Sequence, residues 1–217
     1  MPEQGLFPIG SRALIYQVDC PFDLPHQQRI WAMAEEVSTW KCVAEAVPGM
    51  TNLTLRLKDV PPDLDILKMR LDALWQSGRT KTLTGKVLDI DITYGGAGGP
   101  HIHEVAEMTG LGIDELVRRH AAPSYTVFAV GSHAGYCYLG GLDPRLQTPR
   151  RKVPLQNLPG GSLSVAGLQT GVSASAGPSG WNTIGTADTV FFDPMREPAA
   201  LLVPGDQIRF RPVEVIA

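Results

Sequence analysis

The placement of glycine is the feature of this sequence that most constrains its fold. Five glycines lie in residues 1–94, whereas the other eighteen fall between Gly95 and Gly205. Frequent glycines favour tight turns between short strands rather than long helices. The change in glycine content therefore predicts two domains, residues 1–94 and residues 95–217. It also predicts that they meet at the glycine-rich residues 94–100, which would act as a hinge-like loop.

Residues 1–94 alternate between the hydrophobic periods of strands and of helices. Strand patterns, with alternating apolar and polar residues or a cluster of β-formers, cover residues 11–18, 42–47, 53–57 and 88–92. Apolar residues at the helical spacing i, i+3, i+4 and i+7 cover residues 30–37 and 64–75. The order β-α-β-β-α-β predicts a ferredoxin-like α+β domain.

Residues 95–217 begin with two short helical patterns, at 102–109 and 113–120, and then change to short strands interrupted by Gly and Pro. The strand patterns cover residues 125–130, 136–139, 162–166, 189–192, 200–203 and 207–210. Many short strands at this spacing are typical of an all-β barrel or sandwich.

Charge, hydropathy and cysteine usage exclude several classes of protein. Lys and Arg number 19 against 22 Asp and Glu, so no basic excess indicates a nucleic-acid surface. No apolar run approaches the about 20 residues of a membrane helix, and the first residues do not resemble a secretory signal. Cys20, Cys42 and Cys137 are scattered and odd in number. These features predict a cytoplasmic protein with reduced cysteines that binds neither nucleic acid nor membrane.

Motifs of the common enzyme classes are missing. Residues 95–99 are glycine-rich, but no Lys-Ser/Thr pair follows them as in a phosphate-binding loop. Residues 131–135 place Ser132 one position too early for a nucleophile elbow. His103 opens an H-E-x-x-E run that lacks the second histidine of a zinc motif, and in a helix His101 and His103 would point about 200° apart. No metal site is evident.

Polar and aromatic residues beside the turns of the second part are a stronger functional signal, because loops on a rigid β scaffold commonly carry binding sites. Arg binds carboxylates and phosphates in bidentate fashion, Gln and Thr bond to amide edges, and Trp stacks on planar ligands. The alternative for each residue is a role in turns or barrel packing. The residues concerned are Tyr136, Tyr138, Arg150, Arg151, Gln169, Thr170, Ser179, Trp181 and Asn182.

Ordered motifs between Gly10 and Phe210 carry a resemblance to a known family. They include residues 92–96 (ITYGG), 99–100 (GP), 104–106 (EVA), His120 and Tyr125 as H-x4-Y, 135–140 (GYCYLG), 149–151 (PRR), 159–162 (PGGS), 169–171 (QTG), 180–181 (GW) and 204–206 (PGD). With these motifs the chain resembles the carboxyltransferase family of subdomains C and D. That family includes the B-type subunit of 5-oxoprolinase, the first subunit of allophanate hydrolase and the kinase inhibitor KipI.

The resemblance implies a ferredoxin-like N-terminal domain followed by a cyclophilin-like β-barrel. It also implies a hetero-oligomer with a KipA-like partner, the C-type subunit of 5-oxoprolinases, with the substrate pocket between the two barrels. Family members act on planar N–C=O groups: one branch cleaves 5-oxoproline to glutamate with ATP, and another moves a carboxyl group from biotin to urea. We therefore expect a subunit of an ATP-dependent amidohydrolase or carboxyltransferase that acts on a small amide or ureido compound. The alternative is a KipI-like regulatory module that inhibits a sensor histidine kinase.

The chain departs from the family pattern in loops expected to face the ligand. Leu155 replaces the second arginine of P-R-x-x-x-P-R, residues 131–136 replace G-F-x-P-G-F, and Ser173-Ala174 replaces an aromatic-proline pair. These changes indicate a divergent member, leave open whether the pocket keeps the family's ligand or serves another, and leave Arg150 to carry more of any anion contact. The resemblance implies catalytic roles for His120 and Arg150, and substrate binding by Tyr125, Ser132, His133, Tyr136, Tyr138, Arg151, Gln169, Thr170, Ser179 and Trp181.

Overall fold

A computed structural model describes residues 4–60 and 63–217. The chain divides into two compact units, residues 1–83 and residues 84–217. Each unit has its own hydrophobic core. The first contains an open sheet and two helices, and the second contains a closed barrel and two helices. The predicted α+β class, with a barrel in the second part, is confirmed.

The first unit is an antiparallel sheet with two helices. Its elements are β1 (Gly5–Pro8), β2 (Ala13–Gln17), α1 (Leu24–Ser38), β3 (Val43–Pro48), β4 (Asn52–Leu57) and α2 (Leu64–Gln76). The strand order is β1-β2-β4-β3. Asp23 caps α1 by accepting a hydrogen bond from the His26 amide. One face of α2 buries Leu67, Leu71 and Trp75 at the predicted helical spacing.

The last strand of the predicted ferredoxin-like domain is not part of this sheet. In the order β-α-β-β-α-β the final strand would lie at the edge beside β2. The structure instead places the N-terminal strand β1 there, with Phe7 opposite Ile15. Residues 88–92 belong to the second unit, so the unit boundary falls before the predicted one at residue 94. The split β-α-β core is present, but its fourth strand comes from the other end of the domain.

The second unit is built around a closed seven-stranded barrel with the order β10-β7-β6-β13-β5-β12-β9. Strands β8 and β11 form a separate two-stranded sheet. The elements are β5 (Val87–Gly95), α3 (Ile102–Thr109), α4 (Ile113–Ala121), β6 (Ser124–Val130), β7 (Cys137–Gly140), β8 (Leu155–Leu158), β9 (Ser162–Ala166), β10 (Gln169–Val172), β11 (Gly177–Ser179), β12 (Asn182–Thr186) and β13 (Gln207–Ile216).

Strand β5 pairs in parallel with β13 in the barrel. This pairing explains the alternation of apolar and polar residues at 88–92, a strand that the sequence pattern assigns to the first domain. Ile90 lies opposite Phe210, and both side chains are buried in the barrel core. Asp89, which precedes Ile90 in β5, is exposed and forms an ion pair with Arg209, with 2.7 Å between Oδ1 and Nε. Any strand with one buried face produces this alternation, whichever sheet it joins.

The glycine-rich residues 95–99 form a packed corner of the barrel rather than a hinge. Gly95 has a φ of +77°, and a Cβ there would collide with the carbonyl oxygen of Ile216. A Cβ at Gly99 would collide with the backbone of Ile184. The two units are instead connected through residues 79–86, which form neither helix nor strand.

Other differences from the predicted strands lie in the second unit. Residues 189–192 and 200–203 contribute only an isolated bridge between Phe192 and Ala200. Strands β10 and β12 were not predicted, because their Gly- and Thr-containing sequences are buried nearly throughout and show no alternation. Across residues 4–60 and 63–217, no helix has the length and apolarity needed to span a membrane.

Candidate functional site

A cavity of about 650 Å³ opens between residues 144–150 and the hairpin that joins β9 to β10. We call it the Arg150 pocket. Its lining residues are Pro144, Gln147, Thr148, Pro149, Arg150, Ala166, Gly167 and Gln169. Two of the predicted site residues, Arg150 and Gln169, therefore share one cavity.

A hydrogen bond between backbone groups connects the two walls of the Arg150 pocket. Gly167 occupies the hairpin turn with a φ of +58°, a conformation that glycine adopts without strain. Its amide donates a hydrogen bond of 2.6 Å to the carbonyl of Thr148 on the opposite wall. This hydrogen bond fixes the distance between the β9–β10 hairpin and the loop at Thr148, and with it the width of the pocket at that point.

Arg150 presents an available positive charge to this pocket. Its side chain is exposed, and its guanidinium carbon lies 5.9 Å from the centroid of the Trp181 ring. In the part of the chain that the structure describes, no carboxylate lies within ion-pair distance of Arg150. Gln169 is partly buried in the same cavity and supplies an amide. A guanidinium beside an amide suits a small ligand with an anionic group and a polar N–C=O edge.

Buried polar groups support the wall that carries Arg150. The Asn182 side-chain amide donates to the carbonyl of Pro149 at 2.9 Å and to Oγ1 of Thr148 at 3.2 Å. The backbone amide of Arg151 donates to the carbonyl of Gly180 at 2.8 Å. Asn182 is only 2% exposed, so its hydrogen bonds are shielded from water.

Arg151, which was predicted to bind substrate, forms an ion pair with Glu104 of α3. Its Nη1 lies 2.6 Å from Oε2 of Glu104 and 3.5 Å from Oδ1 of Asn182. The hydrogen bond from Arg151 lowers the pKa of Glu104. The start of α3 is fixed nearby, where the Thr183 amide donates to Nδ1 of the buried His101 at 2.8 Å. Burial and the charge of Arg151 lower the pKa of His101.

Four predicted residues form an aromatic cluster next to Arg150. The Tyr136 ring lies 4.7 Å from that of Tyr138, 5.2 Å from His133 and 6.1 Å from Trp181, measured between centroids. Burial raises the pKa of Tyr136, so its hydroxyl stays protonated. Of its members, the Trp181 ring lies nearest the guanidinium of Arg150, so the cluster holds the ring on which Arg150 borders.

His120 lies in the barrel core, where both of its ring nitrogens have partners. Its Nε2 is 3.0 Å from Oγ1 of Thr170, and that hydroxyl donates onward to the carbonyl of Ser164. Nε2 therefore carries the ring proton, and Nδ1 accepts from the Tyr94 hydroxyl at 2.8 Å. Complete burial lowers the pKa of His120 to about 3, so the ring is neutral near pH 7.

Tyr125 and Thr170 belong to the same buried group. The Tyr125 hydroxyl donates to the carbonyl of His120 at 2.6 Å. Tyr125, Thr170 and His120 are each 0% exposed. In this arrangement none of the three side chains offers a polar atom to the Arg150 pocket.

The sequence profile described as carboxyltransferase domain, subdomain C and D, matches residues 5–202. The chain belongs to this family. The B-type subunit of the 5-oxoprolinase of Escherichia coli O157:H7 is 38% identical over 207 residues, which is 94% of this chain and 94% of the relative. The corresponding 5-oxoprolinase subunit of Haemophilus influenzae is 33% identical over 206 residues, which is 95% of this chain and 96% of the relative.

A solved structure supports the fold of this carboxyltransferase-family chain. The urea carboxylase of Kluyveromyces lactis superposes with a TM-score of 0.81 at 16% identity, over 96% of this chain. This chain spans only 21% of that larger protein. At this identity the likeness concerns the fold alone.

Of the two remaining predicted residues of this family member, Ser132 lies in a bend and Ser179 ends β11. Ser132 is exposed and has a φ of +66°, which is uncommon for a residue with a Cβ. Oγ of Ser179 accepts from the Trp181 amide at 3.2 Å, as a turn residue does.

Sequence reasoning missed several residues of the Arg150 pocket. Gln147 and Thr148 line the cavity, and the buried Asn182 amide supports it, although Asn182 was noted only as a polar residue near a turn. Glu104 was noted only as part of a motif. The sequence did contain a feature that could have indicated Gln147 and Thr148 as pocket residues, because this polar pair directly precedes Pro149-Arg150. Among the described residues, no group of three or more His, Cys, Asp and Glu side chains is placed to hold a metal ion.

Proposed function

We propose that the chain is the B-type subunit of a 5-oxoprolinase-like complex, which opens the lactam ring of 5-oxoproline with ATP as co-substrate. The two bacterial relatives described above are both named as the B-type subunit of 5-oxoprolinase. Each alignment covers at least 94% of this chain and of the relative. The relatives therefore support the proposed role within such a complex. The Arg150 pocket supports the choice of 5-oxoproline as its ligand.

The observation that carries this proposal is an exposed guanidinium beside an amide side chain in one cavity. 5-Oxoproline has a carboxylate and a lactam N–C=O group. Arg150 can bind the carboxylate through two parallel N–H···O bonds. Gln169 can donate to the lactam oxygen and accept from the lactam N–H. A cavity of about 650 Å³ is ample for a ligand of this size.

The lining of the Arg150 pocket also indicates which part of the reaction this chain performs. Opening the lactam adds one water across the C–N bond and gives glutamate, and a second water is consumed as ATP is hydrolysed to ADP and phosphate. Apart from Arg150, the lining residues are Pro, Gln, Thr, Ala and Gly, none of which is an acid–base group near neutral pH. This chain would bind and orient the substrate and polarise its carbonyl. The acid–base groups would come from a KipA-like partner of the C type.

The glycine-rich residues 95–99 do not fit a triphosphate. In a phosphate-binding loop the backbone amides face an open cradle. Here Gly95 packs against Ile216, Gly99 packs against Ile184, and the amide of Gly99 donates within the corner to the carbonyl of Gly95. We therefore derive no ATP contact from this corner, and ATP use is proposed for the complex as a whole.

Reconstitution tests the proposed function. The chain is co-expressed with a C-type partner, and glutamate formation and phosphate release are measured with and without 5-oxo-L-proline. We expect turnover that depends on 5-oxoproline and requires both chains. Inhibition of the autophosphorylation of a sensor histidine kinase, together with no 5-oxoproline turnover by the purified complex, would contradict the proposal and favour the regulatory alternative.

A further inference from the structure

The wall of the Arg150 pocket that carries the guanidinium is an irregular segment. Residues 149–151 belong to no strand, and Thr148 makes only an isolated bridge with Gly167. The backbone is anchored at two points, from Gly167 N to Thr148 O and from Arg151 N to Gly180 O. Between these anchors Pro149 has no N–H to donate. The direction of the Pro149–Arg150 peptide therefore depends on what binds the Pro149 carbonyl.

Asn182 provides that contact. Its Nδ2 donates to Pro149 O at 2.9 Å and to Thr148 Oγ1 at 3.2 Å, so one buried amide fixes two consecutive residues directly before Arg150. A side chain that offered only acceptors at this position would face the Pro149 carbonyl with no proton to share.

The acceptors around Nδ2, which include the carbonyl of Val165 at 3.5 Å, and the charge of Arg151 favour the same direction of the Asn182 amide. Its Oδ1 faces Nη1 of Arg151 at 3.5 Å, and the same Nη1 lies 2.6 Å from Oε2 of Glu104. A flipped amide would place its NH₂ group against the guanidinium and its oxygen against the Pro149 carbonyl. Both contacts would be repulsive, so Arg151 reinforces the orientation in which Asn182 donates to Pro149.

We propose that Asn182 is a positioning residue that orients Arg150 for its ligand, and that the Glu104–Arg151 ion pair reinforces the direction of the Asn182 amide. The proposal rests on the proposed function, because the ligand of Arg150 is taken to be 5-oxoproline. The two neighbouring arginines thereby have different roles: Arg150 contacts the ligand, whereas Arg151 acts through Asn182.

A ligand-free measurement tests this proposal independently of the reaction. Trp181 lies next to Arg150, and the other three tryptophans are in the first unit. In 5-fluorotryptophan-labelled protein, Glu104→Gln should shift the Trp181 fluorine signal in the direction produced by Arg150→Ala. The matched control is Asp91→Asn, which removes a carboxylate paired with Arg211 on β13, away from the lining of the Arg150 pocket. A Trp181 signal that Glu104→Gln leaves unchanged would overturn the proposal.

Kinetics of the reconstituted complex give the second test. Asn182→Asp keeps the side-chain shape but removes both donors, and we expect a rise of about 10- to 100-fold in the KM for 5-oxo-L-proline, as for other misplaced binding groups. Glu104→Gln, which changes a surface residue, should also raise the KM, but by a smaller factor than Asn182→Asp. Melting temperatures are measured for both variants, so that a folding defect in the Asn182 variant is recognised. If Asn182→Asp is misfolded, the KM of Glu104→Gln decides whether the positioning proposal holds.

A double-mutant cycle separates positioning from a general structural effect. If Glu104 acts through Arg150, adding Glu104→Gln to Arg150→Ala should cause no further rise in KM. Fully additive losses would contradict the proposal. A wild-type complex with no 5-oxoproline turnover would refute the proposed function, while the fluorine measurement would still decide the positioning role.

Discussion

The buried His120 ring leads to a quantitative prediction about acid stability. With both nitrogens bonded and no exposure, the ring has a pKa of about 3 in the folded chain, against an ordinary value of about 6.5 in an unfolded one. The unfolded state therefore binds this proton more readily. The contribution of His120 to stability is complete above pH 6.5 and is lost as pH falls from 6.5 towards 3.

The magnitude follows from about 1.4 kcal/mol per unit of pKa difference. Between pH 6.5 and pH 5 the second unit should lose about 2 kcal/mol of unfolding free energy through His120 alone. His120→Gln removes the titrating ring but keeps a donor and an acceptor. It should be less stable than the native chain at pH 7, because it loses the ring stacked 5.2 Å from Phe210. The gap between the two proteins should narrow by about 2 kcal/mol at pH 5.

Guanidinium unfolding at pH 7, 6 and 5, followed by the fluorine signal of 5-fluorotryptophan at Trp181, measures this change in the second unit. Taking the difference between the two proteins cancels the other groups that titrate, including His101, whose pKa is also lowered. Identical pH dependences for the native chain and His120→Gln would refute the reasoning. That result would mean that His120 can be protonated without unfolding, as an acid–base role in catalysis requires.

Three further predictions concern the linker, the partner and the aromatic cluster. Subtilisin, which cleaves with little sequence preference, should cut first within residues 79–86, where no helix or strand protects the backbone; first cleavage within residues 95–99 would contradict the packed corner. The chain should co-elute with its C-type partner at micromolar concentration as a stable hetero-oligomer, and separate elution would remove the main support for the enzyme interpretation. Gly171→Ala would place a Cβ 2.7 Å from the Tyr136 hydroxyl and should cost about 1–3 kcal/mol of stability. Gly177→Ala, which meets no atom within 4 Å, serves as its control, and equal melting temperatures for the two variants would show that the cluster tolerates the extra methyl.

The local elements of the fold were predictable because they depend on periodicity. The helix Ile102–Thr109 lies where its spacing predicts it, and Gly110 follows it with a φ of +66°. What the sequence could not show was which strands pair. Asp89 and Arg209 are 120 residues apart, and no local pattern connects them. The strand 88–92 was therefore assigned to the wrong sheet, although its alternation was recognised.

The residues singled out by the sequence divide between the cavity and the barrel core, and strand geometry explains the division. Arg150 and Gln169 were singled out by residue type and turn context, and the cavity contains both. Thr170 was singled out in the same way, but its side chain points into the barrel towards His120. Neighbours in a strand face opposite sides, so a motif such as Q-T-G includes one residue of the pocket and one of the core. Only the three-dimensional arrangement assigns each residue to its side.

The central claim is that Arg150 binds the ligand of the complex, and truncating it tests that claim most directly. Loss of a hydrogen bond to a charged group costs about 1.5–3 kcal/mol, or roughly ten- to a hundredfold in affinity. Arg150→Ala should weaken 5-oxo-L-proline binding by that factor in calorimetry of the complex and leave the melting temperature within a few degrees. Arg145→Ala, an exposed arginine in the same loop outside the cavity lining, should change neither. Unchanged binding by Arg150→Ala would contradict the claim, and a lowered melting temperature alongside it would make Arg150 a structural residue.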